Sequence, residues 1–294
     1  SYELAGIPSF VSGAYDGCLA DHTVLHSSYS EFETGFDDEL FQIIHSMFGK
    51  LILDLDQLMV RPVDFTLRAK EIVDTIPDGY TEEKEGFLEL AGLAEEIHTG
   101  IESINDKMQS VQKTEELKEA AGKSNLALHE VFKYFMQHYL RFDWNDQMLI
   151  PHQRYLNNIG LLDEADQRLK EGNAEETIAA LEGVDYNYYA SYFSKETYEY
   201  FVRQVTENTA DTWGSGMVEN GNQDLYDTLR LLEAEEGLKN TDVIRKSISD
   251  AREMQMGYLK TTLEEEWKHL PEITELMKHA IACLSDFSSL LKEG

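Results

Sequence analysis

Two histidines four residues apart, His22 and His26, stand within the stretch DHTVLHSSYSEFET. On a helix, side chains with this spacing lie on one face and can bind the same zinc ion. Thr23 and Val24 favour a strand or a loop, however, where residues four apart lie roughly 13 Å from each other. A two-histidine helical zinc site is therefore not expected. One histidine at the end of a strand can still supply a single ligand to a site whose other ligands come from distant parts of the sequence.

The other candidate groups do not form a known catalytic motif. The sequence contains no HExxH pair, no glycine-rich phosphate loop before a helix and no GxSxG turn. Four further histidines lie on segments with a helical pattern, where a surface position or a hydrogen bond explains each of them; they are His129, His138, His269 and His279. The stretch VDYNYYASYFSKETYEYF is rich in tyrosine, which is enriched at interfaces because one end of its side chain is apolar and the other polar. This stretch can form either an internal core or a partner-binding surface.

Composition excludes several classes of function. The 294-residue chain carries 56 acidic and 25 basic side chains, for a formal net charge of -31. Such a charge repels phosphate backbones and anionic lipid surfaces, so no nucleic acid is expected as a partner. No apolar run reaches the roughly 20 residues that span a bilayer. Cys18 and Cys283 lie at opposite ends of the chain and form neither a disulfide framework nor a thiolate metal motif.

The hydrophobic pattern divides the chain at about residue 35. Residues 1–35 lack a helical period and contain short apolar runs between glycines, which predicts strands and loops. From residue 36 to 294 the pattern is helical, so the expected fold is mainly α: a helical bundle preceded by a short strand and loop region. Residues 141–160 are predicted to be irregular. Helices are predicted at 37–59, 63–76, in two long segments between 81 and 139, and at 163–171, 174–182, 186–207, 223–236, 241–269 and 272–292, the last two separated by Pro271.

The predicted helix at 37–59 is apolar on more than one side. Its main stripe follows helical spacing and includes Ile44, Met47 and Leu51, while Phe41 and Ile52 add apolar surface outside it. We therefore expect this helix to be central. Its second face must be covered either by a second copy of the chain, in a symmetric dimer, or by another domain.

Three stretches resemble the glutamate carboxypeptidase II and transferrin receptor family. They are, in order, the run YELAGIPSFVSGAY, the motif His26-Ser27-Ser28-Tyr29 and the helix FDDELFQIIHSMFGKLILDLDQLMVRPVDF. In that family a strand of the LGI type leads to a His-Ser-x-Tyr motif at the end of the peptidase domain, and a long helix then begins the helical domain. The stretch GNQDLYDTLRLL at 221–232 is similar to a Pro-Gly-Ile-Tyr-Asp-Ala-Leu stretch of the same family.

The resemblance implies a domain organisation and one metal ligand. Residues 1–35 correspond to the C-terminal remnant of an α/β zinc-peptidase domain, and residues 36–294 to a transferrin receptor-like dimerisation domain with an inserted helical segment near 160–210. His26 matches the last zinc-binding histidine of the active members, whose other ligands and general-base glutamate precede this motif. Since the chain begins with Ser1 and not methionine, we expect a longer parent protein to hold them. Leu25 and Ser30 depart from the family pattern, and a structural role for His26 in a noncatalytic relative is the alternative.

The substrate-facing loop of the family corresponds to TADTWGSGMVENGN in this chain. Trp213 and Gly214 are therefore the candidate residues of the substrate pocket, with Trp213 as a buried anchor of the loop as the alternative. The loop lacks the lysine-tyrosine pair that reads a glutamate-like side chain. This absence argues against glutamate carboxypeptidase specificity.

The function implied by the resemblance is structural. The domain is expected to form a homodimer, to contact the peptidase domain of the parent and to close one wall of a cleft that binds peptides. Zinc would belong to the parent, so the chain alone should bind none tightly, should contain no catalytic residue and should not hydrolyse peptides. A receptor-like protein-binding scaffold without peptidase activity is the alternative. Strong acidity without a cysteine framework is compatible with a cytoplasmic bacterial protein.

Overall fold

The structure, a computed structural model, describes residues 38–142, 148–185, 187–206, 223–234, 239 and 241–293. This part of the chain is mainly helical, as predicted. Its helices are α1 (Asp38–Gln57), α2 (Thr66–Thr75), α3 (Thr81–Met108), α4 (Glu115–His138), α5 (Pro151–Lys170), α6 (Ala174–Glu182), α7 (Tyr188–Tyr192), α8 (Lys195–Thr206), α9 (Tyr226–Glu233) and α10 (Thr241–Glu293). Two short antiparallel strands, β1 (Arg141–Phe142) and β2 (Met148–Leu149), pair Arg141 with Leu149. None of the described helices is long and apolar enough to span a bilayer.

The sequence predicts that residues 141–160 are irregular, but helix α5 begins within this segment, at Pro151. Pro151 occupies the first turn, where the missing N–H of proline is not needed for an intrahelical bond. The Gln153 side chain accepts a hydrogen bond from the backbone N–H of Ile150 at 2.9 Å. At its other end, α5 is followed by Gly172 with a φ of +76°, and Asn173 then caps α6 by accepting from the Glu176 N–H. The prediction of an irregular segment is therefore wrong for residues 151–160.

Pro271 does not end a helix. The sequence predicts two helices separated at this residue, but α10 is continuous from Thr241 to Glu293 with Pro271 inside it. A proline in a helix interior costs about 3 kcal/mol because it removes one backbone hydrogen bond and crowds the preceding turn. The buried residues Leu270, Ile273 and Met277 keep their helical spacing across the proline. Their burial offsets the local cost, so tertiary packing overrides the break signal.

Buried positions in the longest helices are spaced alternately by three and four residues. This spacing is the 3.5-residue period of helices whose side chains pack as knobs into holes. In α3 the positions are Phe87, Leu90, Ala94, Ile97, Ile101, Ile104 and Met108. In α10 the run from Ala251 to Leu263 has three successive spacings of four, a stutter that shifts the buried stripe around the helix.

The described residues divide into two compact units. The larger unit contains residues 66–92 and 130–276, and the smaller contains 38–65, 93–129 and 277–293, within the described ranges. The core of the larger unit is formed by apolar side chains from α5 to α10, among them Leu162, Leu181, Tyr198, Leu229 and Ile248. The core of the smaller unit includes Phe65, Ile101, Leu128, Leu284 and Phe287.

A buried asparagine organises part of the larger unit. The Asn187 amide nitrogen donates to the carbonyls of Val184 and Gln223, at 2.7 and 2.6 Å. Its amide oxygen accepts from the Tyr198 hydroxyl at 3.0 Å and from the Leu225 backbone N–H at 2.8 Å. The amide nitrogen and the amide oxygen of this residue therefore both have partners. They hold the residues at 223–225 that lead into α9.

Two other helix predictions need correction. The segment predicted as one helix at 186–207 forms α7 and α8, with Phe193 in an extended conformation after α7. The predicted first helix forms as α1, but it is not central. Every α1 residue whose exposure the structure describes is exposed or half-buried. The structure thus places a largely apolar helix surface in contact with solvent.

Candidate functional site

The residues selected from the sequence as site candidates lie outside the described residues. This applies to His26, the expected zinc ligand, and to Trp213 and Gly214, the candidate pocket residues. The strand and loop region at 1–35 also falls outside them, whereas α9 covers most of the 221–232 stretch. The candidate sites described below therefore come from other parts of the chain.

The first candidate is an apolar surface on α1. It joins the main apolar stripe of this helix with the flanking residues Phe41 and Ile52, and because its members recur at spacings of three and four residues they form one continuous surface. We define the α1 apolar surface as Phe41, Ile44, Met47, Phe48, Leu51, Ile52 and Leu55. Ile52 is 64% exposed, and Met47, Leu51 and Leu55 are exposed as well. Contiguous exposed apolar surfaces of this kind mark interaction sites.

Two asparagines hold the segment that follows α1. Asn105 of α3 accepts from the Val60 N–H at 3.3 Å and donates to the Val60 carbonyl at 3.0 Å. Asn125 of α4 accepts from the Arg61 N–H and donates to the Met59 carbonyl, both at 2.8 Å. These side chains replace the backbone partners that a non-helical segment lacks. They anchor the C-terminal end of the helix that carries the apolar surface.

Charged residues flank the α1 apolar surface. Asp38 and Glu39 stand in the first turn, where carboxylates favour the positive end of the helix dipole. Asp54 accepts from Lys50 at 2.5 Å, and Asp56 follows in the last turn. The acidic residues outnumber the single lysine, so two copies of α1 repel each other. Association through this surface must overcome that repulsion, which salt screens.

The second candidate is a pocket of about 350 Å³ in the larger unit. It lies among the end of α4, the start of α5 and the middle of α10. Imidazole, guanidinium, phenol, hydroxyl and carboxylate groups line it, from His138, Arg141, Tyr155, Tyr258, Thr261, Thr262, Glu265, Glu266 and His269. Pockets in which several polar groups converge are the usual binding sites for small ligands.

Two histidine rings stack at one side of this pocket. The ring centroids of His138 and His269 are 3.9 Å apart, with an angle of 26° between the ring planes. Burial, helped by the nearby His269 and Arg141, lowers the pKa of His138, and Glu272 opposes the shift. The neutral imidazole of His138 is therefore favoured. From the sequence, a surface position or a hydrogen bond explains each of these histidines, and their proximity is not predicted because they lie on different helices far apart in the chain.

A hydrogen-bond chain orients His269. The Tyr134 hydroxyl lies 2.9 Å from His269 Nδ1 and donates to a Glu272 carboxylate oxygen at 3.0 Å. Burial and the Glu272 carboxylate raise the pKa of Tyr134, so its proton stays on the phenol. Since that proton is directed to Glu272, the hydroxyl accepts from Nδ1–H of His269.

The tyrosine-rich stretch forms both core and surface. Tyr198 is buried, whereas Tyr192 is 75% exposed and Tyr200 is exposed as well. The rings of Tyr189 and Phe201 stack with centroids 5.8 Å apart. The interpretation as an internal core is therefore confirmed for Tyr198, whereas Tyr192 and Tyr200 lie at the surface, and their role in partner binding stays a prediction.

No protein-family model matches the chain, and no curated protein or solved structure matches it either.

Proposed function

We propose that the chain is a noncatalytic helical domain that forms a homodimer through the α1 apolar surface. The single observation that carries this proposal is the exposure of that surface along a 20-residue helix. Exposed apolar side chains are unfavourable in water, and their burial contributes roughly 25 cal/mol for each Å² removed from solvent. A second copy of the same chain offers the same surface, and twofold pairing is the commonest way in which proteins cover such a surface.

The family resemblance indicates the kind of parent protein in which this proposed dimer would act. In a zinc-dependent aminopeptidase or carboxypeptidase of the glutamate carboxypeptidase II type, the domain would contact the peptidase domain and contribute one wall of the peptide-binding cleft. Zinc and peptide would bind to the parent protein. The role of this chain in that setting is mechanical, because it would hold two copies together.

The experiment compares two variants that make the same chemical change at different places. Ile52→Glu introduces a carboxylate into the α1 apolar surface. Leu67→Glu introduces one on α2, at a leucine that is 70% exposed and lies outside that surface. Both variants change the net charge equally, so general repulsion affects them alike. Burying an unpaired carboxylate in an interface is strongly unfavourable.

We expect Ile52→Glu to weaken dimerisation by at least tenfold, and Leu67→Glu to leave it unchanged, in sedimentation velocity at physiological salt. Equal effects of the two substitutions would contradict the role of α1. Circular dichroism of both variants would establish that the helical fold is retained.

The second candidate is a receptor-like scaffold that binds another protein without peptidase activity. The exposed aromatic side chains of α7 and α8 favour this candidate, since tyrosine is enriched in protein interfaces. If it is correct, the wild type and both variants would sediment as the same monomer.

A further inference from the structure

The pocket among the end of α4, the start of α5 and the middle of α10 extends along α10. Tyr258 and His269 both line it, and their separation along the chain corresponds to about 16 Å of helix. At one end of the pocket, the rings of Tyr155 and Tyr258 lie with centroids 5.7 Å apart. At the other end, His269 stacks on His138. With a volume of about 350 Å³, the pocket is large enough for a small organic molecule.

One basic and one acidic side chain bring opposite charges to this lining. They are Arg141, in the strand that follows α4, and Glu265 of α10. Glu266 also lines the pocket, but both of its carboxylate oxygens already contact His152, at 2.7 and 3.0 Å. Glu265 instead forms a surface pair with Lys268 at 3.1 Å, and such pairs contribute little. A charged ligand can therefore replace Lys268 as the partner of Glu265.

The two opposite charges belong to the same end of the pocket. Arg141 follows His138 closely in the chain, and its guanidinium donates to two backbone carbonyls at the end of α4, both at 2.7 Å. The guanidinium is thus held beside the C-terminal end of that helix. Glu265 lies about one helical turn before His269 on α10. Because His138 stacks on His269, a small molecule at this end of the pocket can reach both charges.

We propose that this pocket binds a zwitterionic amino acid with an aromatic side chain, with its carboxylate on Arg141 and its ammonium group on Glu265. A simple anion would be repelled by Glu265 and a simple cation by Arg141, whereas a zwitterion pairs with both. Arginine can hold a carboxylate through two parallel hydrogen bonds. The ring of the ligand would extend toward Tyr155 and Tyr258, since aromatic rings attract one another in offset or edge-on arrangements. The proposal depends on neither the family resemblance nor the dimer.

The test uses phenylalanine and its derivatives as probes in calorimetric titrations of the full chain. Phenylalaninamide lacks the carboxylate, and N-acetylphenylalanine lacks the ammonium group. We expect phenylalanine to bind with a Kd of about 1 mM or lower, and each derivative to bind at least about tenfold more weakly because one charged contact is lost. Alanine keeps both charges without the ring and should also bind at least about tenfold more weakly.

Phenylalaninamide gives a strict comparison because the chain is strongly acidic. The net charge of -31 attracts this cationic derivative to the whole protein surface. Tighter binding of phenylalanine, which has no net charge, therefore requires a local basic group such as Arg141. Phenylalaninamide that binds as tightly as phenylalanine would overturn the proposal, and so would the absence of saturable binding of phenylalanine. Both results come from the wild type and do not depend on the folding of a variant.

Substitutions assign each charged contact to its residue. Glu265→Gln should remove the advantage of phenylalanine over N-acetylphenylalanine, and Arg141→Gln should remove its advantage over phenylalaninamide. Glu264→Gln is the matched control, because Glu264 is also an exposed glutamate of α10 that pairs with a lysine, Lys260, and it lies outside the pocket lining. Circular dichroism establishes that each variant keeps the helical fold. Identical binding of phenylalanine to Glu264→Gln and Glu265→Gln would also overturn the proposal.

Discussion

His152 Nδ1 lies 2.7 Å from a carboxylate oxygen of Glu266, and both side chains are buried in the larger unit. The second oxygen of Glu266 accepts from the His152 backbone N–H at 3.0 Å. His152 Nε2 contacts the Thr75 hydroxyl at 2.8 Å, and the Glu266 carbonyl accepts from the Tyr139 hydroxyl at 3.0 Å. This group connects α2, the residue that follows α4, α5 and α10 through hydrogen bonds.

Removal of the Glu266 charge should destabilise the fold. Glu266 offers one carboxylate oxygen to the His152 backbone N–H and the other to the His152 ring, whereas the Gln side chain has only one acceptor oxygen for these two contacts. A buried polar group left without its partner costs about 1–3 kcal/mol, so we expect a loss of roughly 2 kcal/mol in the free energy of unfolding, measured by urea denaturation. Glu265→Gln changes the neighbouring exposed residue and should shift stability by less than about 0.5 kcal/mol. Similar stability of the two variants would show that the buried pair does not hold these helices together.

Two glycines of α3 should respond to alanine in opposite directions. A Cβ at Gly86 would lie 2.6 Å from carbon atoms of both Leu270 and Trp267, whereas a Cβ at Gly92 would meet nothing within 4 Å. Gly86→Ala should destabilise by about 1–3 kcal/mol because the packed side chains must move. Gly92→Ala should stabilise by up to about 1 kcal/mol because alanine favours the helix. Thermal unfolding of the pair measures the difference, and a higher melting temperature for Gly86→Ala would contradict the close packing.

The anchor of α1 can be tested through its buried backbone groups. Asn105→Ala leaves the N–H and the carbonyl of Val60, a fully buried residue, without their side-chain partners. Each buried group left unsatisfied costs about 1–3 kcal/mol. We expect faster amide hydrogen exchange at residues 59–61 in this variant. Asn157→Ala, at an exposed position on α5, should leave that exchange unchanged; equal exchange in the two variants would mean that Asn105 does not hold the segment.

The Cys283 thiol should react slowly at neutral pH. Burial raises the pKa of Cys283 and Asp286 adds to the shift, while Lys123 partly opposes it. A raised pKa leaves less thiolate, which is the reactive form. In Cys18→Ser protein, the pH midpoint of alkylation by iodoacetamide should therefore be higher when the chain is folded than when it is unfolded in urea. Asp286→Asn should lower the folded midpoint, and a folded midpoint at or below the unfolded one would contradict this environment.

The helical class and most helix positions can be predicted from the sequence because long segments repeat apolar residues at helical spacing. At Pro271 this apolar spacing predicts a continuous helix, whereas the proline itself predicts a break. Leu270, Ile273 and Met277 continue the buried stripe through the proline, and a reading of the 3.5-residue period would favour one helix there. At residues 151–160 the polar RYLNN cluster suggests a loop, yet Arg154 and Asn158 are buried and bonded to Asp185.

The sites depend on contacts that no local pattern contains. His138 at the end of α4 and His269 on α10 stack their rings because the fold brings these parts of the two helices into contact. No sequence motif marks Asn105 and Asn125 either, because their hydrogen-bond partners lie far away in the sequence, in the segment after α1. The exposed face of α1 has the composition of a core helix, so hydrophobicity alone predicts a central position for it.

Self-association of the chain can be tested through the absolute mass of the protein in solution. Size-exclusion chromatography with light scattering should be run at several protein concentrations and at physiological salt, where the repulsion between acidic chains is screened beyond about 8 Å. We expect a mass of twice the 33.7 kDa chain mass, which decreases toward the mass of one chain only on dilution. A mass of 33.7 kDa at every concentration would contradict the homodimer.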